Sequence, residues 1–197
     1  MTCARSLMRV LLALAEECYS FLVVPGGGPM ADLVRDIYSR GDLSQEAAHW
    51  MAVLAMEQYA YFLADGNPAI LTREICRPKK DCGVQVLLPY QVLIENDRGL
   101  LHNWDYTSDA VAALVAAQLS APLIKATDVD GVMLDGKVAT EVTASRMLGH
   151  KSCVDQGTID LLCGPLKGNN IWVLNGTDAQ QFCIALKSKE GGTIIKS

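Results

Sequence analysis

The sequence predicts an α/β fold around a mostly parallel sheet, and three observations lead to this prediction. Short apolar runs of strand length alternate with longer segments of helical periodicity along the 197 residues. One such run, Phe21–Val24, leads through a glycine turn into a helix, and another, Leu123–Ala126, ends in a polar turn. Ligands of open α/β sheets bind at the carboxyl ends of strands, so we expect the functional site at these two turns.

Composition limits the domain organisation and the partners. A chain of 197 residues that is 50% hydrophobic can form one well-buried domain, and we predict a single domain over residues 1–197. A net charge of −5 offers no broad basic surface for nucleic acid. The apolar run Val10–Ala15 is too short to span a membrane, and the neighbouring charges of Arg9 and Glu16 argue against a signal peptide.

The cysteines and histidines indicate free thiols and no metal held by protein side chains. The seven cysteines form no C-x-x-C pair and show no regular metal spacing, so we predict reduced thiols and a cytoplasmic location. His49 has no second histidine or carboxylate with metal geometry beside it. We expect His49 to be a packed or interfacial residue.

The first half of the chain is predicted to contain helices and short strands separated by turns. Helices are assigned where apolar residues recur every three or four positions, and strands where short apolar runs stand between turn residues. Asp42 or Ser44 caps the longest helix, and the loop Arg77–Asp81 carries solvated lysines. The predicted helices are Cys3–Cys18, Met30–Tyr38, Ser44–Ala64 and Tyr90–Glu95, and the predicted strands are Phe21–Val24, Ala69–Thr72 and Val84–Leu88.

The second half repeats this alternation. The alanine-rich run Ala110–Leu119 would let its helix lie close to a sheet, and the pair Asp135–Gly136 predicts a hairpin turn. The predicted helices are Thr107–Leu119, Thr143–Leu148, Gln156–Leu162 and Ala179–Leu186, the predicted strands are Leu123–Ala126, Ile171–Leu174 and Gly192–Ile195, and the hairpin is Met133–Val138.

The longest helix is apolar on opposite sides. Trp50 and Leu54 belong to one face, while Val53 and Met56 make the other side apolar as well. A helix that is apolar all round must be covered on both sides. Because the domain is small, we predict that another subunit provides the second cover, which makes the protein a homodimer or a higher homo-oligomer.

Gly26, Gly27 and Gly28 stand between the first strand and the second helix. Glycines at this position let backbone N–H groups approach an anion closely, and the helix amino terminus adds partial positive charge, so phosphate is the predicted ligand. The alternative is a tight turn without a ligand. Arg35 could hold an acceptor phosphate as a bidentate donor, and a plain surface arginine is the alternative.

The segment Trp104–Val132 is the part of the chain around which the prediction of function is built. Thr107 or Ser108 provides a hydroxyl cap for a helix whose first turn carries Asp109. The strand that follows ends in the polar string TDVDG at Thr127–Gly131. Taken alone, Asp109 could be only a partner of the helix dipole, and the two aspartates of the string only turn formers.

Together these motifs resemble the amino acid kinase family, whose members use ATP to phosphorylate a carboxylate, a carbamate or a phosphate. The resemblance implies a three-layer αβα sandwich, with residues 1–103 on the acceptor side and residues 104–197 on the nucleotide side. It also implies that Asp109 orients cationic groups and that Mg²⁺ bridges ATP oxygens. By the same resemblance, Gly26, Gly27, Gly28, Asp32 and Arg35 would bind the acceptor, and Thr127, Asp128, Asp130 and Gly131 would bind the nucleotide.

Strings along nearly the whole chain are similar to the methanofuran-pathway branch of this family. That resemblance implies phosphoryl transfer from ATP to a furanmethyl monophosphate, which gives ADP and a diphosphate in methanofuran biosynthesis. The alternatives are another small-acceptor kinase of the same fold, such as an isopentenyl phosphate or uridylate kinase, and a nucleotide-binding subunit with impaired catalysis. The strings are VPGGGP with Ala31, Asp32 and Arg35, AHWMA with Ala55 and Met56, WDYTSD, SCVD and the closing Asn175-Gly176.

The sequence departs from the family in its lysines. Family members open with a strand that ends in a Lys-x-Gly-Gly-Ser type segment, and this sequence has none. We therefore expect an amino-terminally shortened copy that lacks the first strand, and loss of such a lysine costs about a hundred- to a thousand-fold in rate. The second family lysine has no assigned counterpart, because Gln156 stands at the expected place and Lys151 and Lys167 are unranked alternatives.

Overall fold

A computed structural model describes residues 2–66, 70–77 and 83–197 of the chain. The chain divides into two compact units, and each is described by itself: unit 1 contains residues 11–108, and unit 2 contains residues 2–10 and 109–197. The first helix therefore contributes to both units. In the described part of the chain, no helix is long and apolar enough to cross a membrane.

Unit 1 is built on a three-stranded parallel sheet. Its strand order is β1-β3-β2, with Phe21 paired to Val84 and Ile70 paired to Gln85. The central strand is the most buried, because Val84, Val86 and Leu87 are fully covered. The elements are α1 (Thr2–Glu16), β1 (Phe21–Val23), α2 (Gly28–Ser39), α3 (Gln45–Ala64), β2 (Ile70–Thr72), β3 (Val84–Leu87) and α4 (Pro89–Glu95).

Unit 2 is built on a four-stranded mixed sheet. Its order is β4-β8-β9-β7, in which β4 is parallel to β8, β8 is antiparallel to β9, and β9 is parallel to β7. Strands β5 and β6 form a separate hairpin. The elements are α5 (Ser108–Leu119), β4 (Leu123–Thr127), β5 (Met133–Leu134), β6 (Lys137–Val138), β7 (Glu141–Thr143), α6 (Ala144–Met147), α7 (Gln156–Cys163), β8 (Asn170–Asn175), α8 (Ala179–Ser188) and β9 (Thr193–Lys196).

A buried threonine joins the loop before the hairpin to the sheet of unit 2. The Thr193 hydroxyl accepts from the Val132 N–H at 2.9 Å and donates to the Ala139 carbonyl at 2.5 Å. Gly131 adopts φ +151°, and a Cβ at this position would overlap the Thr193 hydroxyl. Packing alone therefore requires glycine at position 131.

The predicted α/β class is confirmed, and several local predictions hold. Ser44, not Asp42, caps α3 by accepting from the Ala47 N–H. The hairpin turns at Asp135 and Gly136, which both have positive φ, as an Asp-Gly turn requires. The hydrogen-bonded strands fall into one main sheet in each unit and not into one continuous sheet.

Other local predictions were wrong or lie outside the described residues. The predicted helix Thr143–Leu148 is shorter and follows a strand, β7, in which Val142 is buried between two exposed neighbours. Helix α2 begins at Gly28, two residues earlier than predicted, so Asp32 lies beyond its first turn. Residue 69 of the predicted second strand and residues 78–81 of the lysine loop lie outside the described residues.

Candidate functional site

Two parallel strands of unit 2 end side by side in polar turns. Thr127 at the end of β4 is in register with Asn175 at the end of β8, and the Gly176 N–H donates to the Thr127 carbonyl at 2.6 Å. A Cβ at Gly176 would lie 2.8 Å from the Leu7 side chain, so this crossing needs glycine. The two turns therefore form one polar edge of the sheet, where α/β proteins place ligands.

The side chains of this edge hold each other in place. The Thr127 hydroxyl donates to Asp128 at 3.3 Å, and the Asn175 amide donates to Asp130 at 2.7 Å. The Asn175 amide oxygen in turn accepts from the Thr177 N–H at 2.8 Å. Asp128 and Asp130 are exposed, so their remaining acceptor positions are open to a ligand.

Asp109 of α5 and Lys125 of β4 form a mostly buried ion pair. Lys125 lies in β4, and its Nζ contacts Oδ2 of Asp109 in the first turn of α5. The exposed fractions of the two side chains are 19% and 18%, respectively. The same Asp109 oxygen accepts from the Asp155 N–H at 3.3 Å. One carboxylate therefore contacts β4 and the segment that precedes α7.

Burial governs the ionisation of this group of side chains. It raises the pKa of Asp109, and the opposing effect of the Lys125 charge is smaller. Burial also raises the pKa of the nearby Cys153 thiol, against the influence of Lys125. The Cys153 thiol therefore stays protonated near neutral pH, while Lys125 supplies the positive charge of the group.

Lys125 and Thr127 project from the same face of β4, because side chains alternate along a strand. Lys125 therefore lies directly behind the polar edge formed by Thr127 and Asn175. A lysine held in this way is a fixed cation beside a position where a phosphate could bind. The geometry combines a cation, hydroxyl and amide groups, and two exposed carboxylates.

The segment before α7 owes its shape to local hydrogen bonds. Asp155 caps α7, and its carboxylate accepts from the Thr158 N–H at 2.7 Å. Gln156, where a lysine was sought, accepts from the Gly149 N–H at 2.8 Å and donates to the His150 carbonyl at 2.7 Å. Gln156 therefore stabilises the preceding turn.

In the glycine turn of unit 1, packing requires glycine at two of the three positions. A Cβ at Gly27 would overlap the Ala31 side chain. Gly28 has φ +54°, and a Cβ there would lie 2.7 Å from the Tyr59 ring. A Cβ at Gly26 would meet only the Ser108 hydroxyl, at an ordinary 3.8 Å. Packing therefore explains Gly27 and Gly28 but does not require Gly26.

The amino terminus of α2 is available to an anion. Within the described ranges, no side chain caps this helix, and Pro29 in its first turn has no N–H of its own. Asp32 lies one turn and Arg35 two turns further along, and they form an exposed ion pair at 2.7 Å. The Arg35 guanidinium also lies 4.9 Å from the centre of the Trp104 ring. These contacts orient Arg35 and leave its other donors free for a ligand.

The structure brings the predicted residues together within each unit and adds one that the sequence analysis missed. In unit 1 the three glycines, Asp32 and Arg35 lie in or near the first turns of α2. In unit 2 Asp109 contacts Lys125, and Lys125 lies in β4 two residues before Thr127, where the TDVDG string begins. The available signal for Lys125 was a single charge within the otherwise apolar strand LIKAT. Lys151 and Lys167, the predicted alternatives, are both exposed.

Comparison with known proteins shows the family to which this chain belongs. The sequence model of the amino acid kinase family matches residues 1–162. The chain therefore belongs to the amino acid kinase family, and it is an ATP-dependent kinase.

Three known proteins are similar to this chain over most of its length. The chain is 31% identical over 198 residues to the [5-(aminomethyl)furan-3-yl]methyl phosphate kinase of Methanocaldococcus jannaschii, and the match covers 94% of this chain and 88% of that protein. Among solved structures, the uridylate kinase of Archaeoglobus fulgidus has a TM-score of 0.70 at 21% identity and covers 98% of this chain and 91% of its own. The UMP kinase of Bacillus anthracis has a TM-score of 0.70 at 14% identity, and the match covers 98% of this chain and 86% of that protein. These structures confirm the predicted amino acid kinase type of α/β fold.

Replacing Lys125 by methionine should make stability depend on pH. The substitution leaves the Asp109 carboxylate buried without its cation, so the folded-state pKa of Asp109 rises further above its unfolded value. Stability should then be closest to wild type at acid pH and fall as pH rises through that pKa, by about 1–3 kcal/mol at neutral pH. Urea unfolding between about pH 4 and about pH 8 measures this loss.

Two further variants make that measurement specific. Lys189→Met, at an exposed lysine of unit 2, should leave the free energy of unfolding unchanged. Adding Asp109→Asn to Lys125→Met should remove the pH-dependent part of the loss. A loss that is equal at every pH would show that the ion pair does not govern the ionisation of Asp109.

Proposed function

We propose that this kinase transfers the γ-phosphoryl group of ATP to a small phosphate monoester, with [5-(aminomethyl)furan-3-yl]methyl phosphate as the acceptor. The acceptor assignment is supported by the 31% identity to the kinase named for that compound, over 94% of the chain. The single structural observation that carries the proposed chemistry is the buried Asp109–Lys125 pair behind the polar strand ends. The proposed place of the reaction is methanofuran biosynthesis.

The transfer step needs positioning and charge neutralisation more than acid–base chemistry. An oxygen of the acceptor phosphate attacks the γ-phosphorus of ATP and forms a new P–O bond. The bond from the γ-phosphorus to the bridging oxygen breaks, and ADP leaves with its electron pair. A phosphate monoester has a second pKa of about 6, so at neutral pH the attacking oxygen needs no general base. Asp109 is therefore proposed to orient Lys125 and not to remove a proton.

The donor side of the reaction is assigned to unit 2. Lys125 would neutralise charge that develops on the phosphate oxygens, and its fixed position supports this role. Thr127, Asp128, Asp130 and the backbone at Gly131 would line the nucleotide. For Gly131 the proposed role is limited to its backbone, because the close approach of Thr193 already accounts for the glycine.

The acceptor side of the proposed reaction is assigned to unit 1. Backbone N–H groups at Gly26–Gly28 and the uncapped start of α2 would hold phosphate. Arg35 would clamp the acceptor phosphate, and Asp32 would orient Arg35 through their ion pair. The absence of a packing reason for Gly26 supports close approach of a ligand there.

Magnesium fits this site as a companion of ATP. Within the described residues, no group of three or more histidine, cysteine or acidic side chains is placed to hold a metal ion. Mg²⁺ usually keeps several waters and binds through one or two carboxylates and the substrate phosphates. The exposed Asp128 and Asp130 could supply such a carboxylate, and the ion would neutralise charge on the ATP oxygens.

Acceptor choice can be tested by product analysis with three phosphate monoesters. Purified protein is mixed with ATP, Mg²⁺ and either the furanmethyl monophosphate, UMP or isopentenyl phosphate, and both ADP and the diphosphate product are measured. We expect product with the furan compound at a kcat/KM at least about tenfold above the other two. Turnover only with UMP or isopentenyl phosphate would reject the acceptor, and ATP binding without any product would favour an impaired nucleotide-binding subunit.

In the same assay Lys125→Met should lower kcat by about a hundred- to a thousand-fold, whereas Lys189→Met should not change it.

We further propose that the protein is a cytoplasmic homodimer assembled through α3. The solvent side of α3 carries an apolar stripe at helical spacing: Met51, Leu54 and Tyr61 are 36%, 40% and 53% exposed. A stripe of this kind favours burial against another subunit. The six cysteines in the described part of the chain are free thiols, which fits a reducing compartment.

Replacing Leu54 by glutamate should dissociate the dimer, because it places a charge in the centre of the apolar stripe. Light scattering coupled to gel filtration should give the mass of two chains for wild type and of one chain for Leu54→Glu. Ile184→Glu, at an exposed apolar residue of α8, should stay dimeric. A monomeric wild type, or a dimeric Leu54→Glu, would rule out this interface.

A further inference from the structure

A group of ionisable side chains in unit 1 has been given no role so far. His102 lies between two carboxylates: its Nδ1 is 2.7 Å from Oε2 of Glu46, and its Nε2 is 2.9 Å from Oδ2 of Asp97. A neutral imidazole has a single N–H and cannot donate to both. These contacts therefore require an imidazolium. We call Glu46, His49, Asp97 and His102 the histidine cluster.

The second histidine of the cluster is neutral. The rings of His49 and His102 stack with centroids 4.0 Å apart and an interplanar angle of 11°. Burial, and then the charge of His102, lower the pKa of His49 to about 4. Among the described residues, its buried Nε2 has no hydrogen-bond partner, which a neutral nitrogen tolerates better than a charged one. His102 is therefore a cation on the face of a neutral ring.

The charge of His102 depends on pH in a defined direction. Burial lowers its pKa, but the hydrogen bonds to Glu46 and Asp97 outweigh burial and raise the pKa above 6.5. Within the described residues, the titratable groups that face its ring are Glu46 and His49 of α3 and Asp97 of the segment after α4. The contacts of the imidazolium are therefore complete below pH 6.5 and are lost as pH rises through the folded-state pKa.

The cluster holds the segment that contacts Arg35. The Trp50 indole donates to the second oxygen of Glu46 at 2.6 Å, which fixes that carboxylate on α3. Two residues after His102, Trp104 lies against Arg35 and against the Tyr38 ring, with ring centroids 5.9 Å apart. A tight turn joins the two positions, because the Asn103 side chain accepts from the Asp105 N–H at 2.9 Å.

We propose that His102 is a positioning residue: as an imidazolium between Glu46 and Asp97 it fixes the segment Leu100–Thr107 on α3 and so sets Trp104 over Arg35. The role given to Arg35 rests on the proposed function, whereas the positioning of Trp104 does not. Loss of the His102 proton removes one of two charge-assisted hydrogen bonds and frees the segment. Acceptor binding should weaken with it, while the transfer step itself should not.

Nuclear magnetic resonance can test the positioning without any activity. The chain has three histidines and three tryptophans, so labelled imidazole and indole signals can be assigned by single substitutions. Below pH 6.5 both ring nitrogens of His102 should be protonated. The Trp104 indole signal should shift as pH rises, with the midpoint of His102. Trp172, whose indole donates to the Gly191 carbonyl at 2.8 Å in unit 2, is the matched control and should not follow that midpoint.

Kinetics should separate this role from a merely structural one. Between about pH 6 and about pH 9.5 the KM for the acceptor should rise about tenfold with the midpoint of His102, while kcat changes less than about twofold. His102→Gln should have a high KM that does not vary with the wild-type midpoint, and His150→Gln should behave as wild type. Glu46→Gln keeps the ring but gives it a neutral partner, so its KM midpoint should move to lower pH together with the measured pKa of His102.

The two kinds of measurement separate failure of the positioning role from failure of the proposed function. A His102 with one N–H below pH 6.5, or a Trp104 signal that does not follow the titration of His102, would overturn the positioning role whether or not any acceptor is used. A KM that stays flat while His102 loses its proton would also overturn it, and the proposed function would stand. Absence of turnover at every pH would instead count against the proposed function, and the Trp104 signal would still decide the positioning.

Discussion

The contact between Asp109 and Lys125 is the interaction on which the chemistry of unit 2 depends. Burial disfavours the charged form of Asp109, so an ionised carboxylate there requires a cation beside it. Lys125 supplies that cation from the interior of a strand, and the Asp155 N–H supplies a further donor. One carboxylate therefore fixes the position of a lysine relative to a helix terminus and a strand end. Such an arrangement costs stability, and the proposed gain is a fixed positive charge for phosphate oxygens.

The two units use the same structural principle with different chemistry. In each, polar groups or exposed N–H groups follow a parallel strand at its carboxyl end. Unit 1 offers backbone donors, because Gly27 and Gly28 allow the chain to pass close to Ala31 and Tyr59, and no described side chain caps α2 by a hydrogen bond. Unit 2 offers a lysine, a threonine and carboxylates. A phosphotransferase needs both kinds of group, since phosphate must be held and its developing charge neutralised.

The features that the sequence predicted are those that depend on residues close together along the chain. The α/β class, the Ser44 cap and the Asp135–Gly136 turn follow from local periodicity and turn chemistry. Lys125 was missed because its partner lies 16 residues away and nothing in a strand pattern identifies it. The same holds for His102, whose partner Glu46 is 56 residues distant. Strand β7 was missed because three residues carry too little alternation to be separated from the short helix that follows.

The most direct measurement is a double-mutant cycle on turnover. The rate of diphosphate formation would be compared in wild type, Asp109→Asn, Lys125→Met and the double variant, each at saturating ATP and acceptor. If Asp109 acts through Lys125, the double variant should lose no more activity than the worse single variant, because the two residues act as a unit. Losses that multiply, as they do for independent residues, would contradict the role of this ion pair in the reaction.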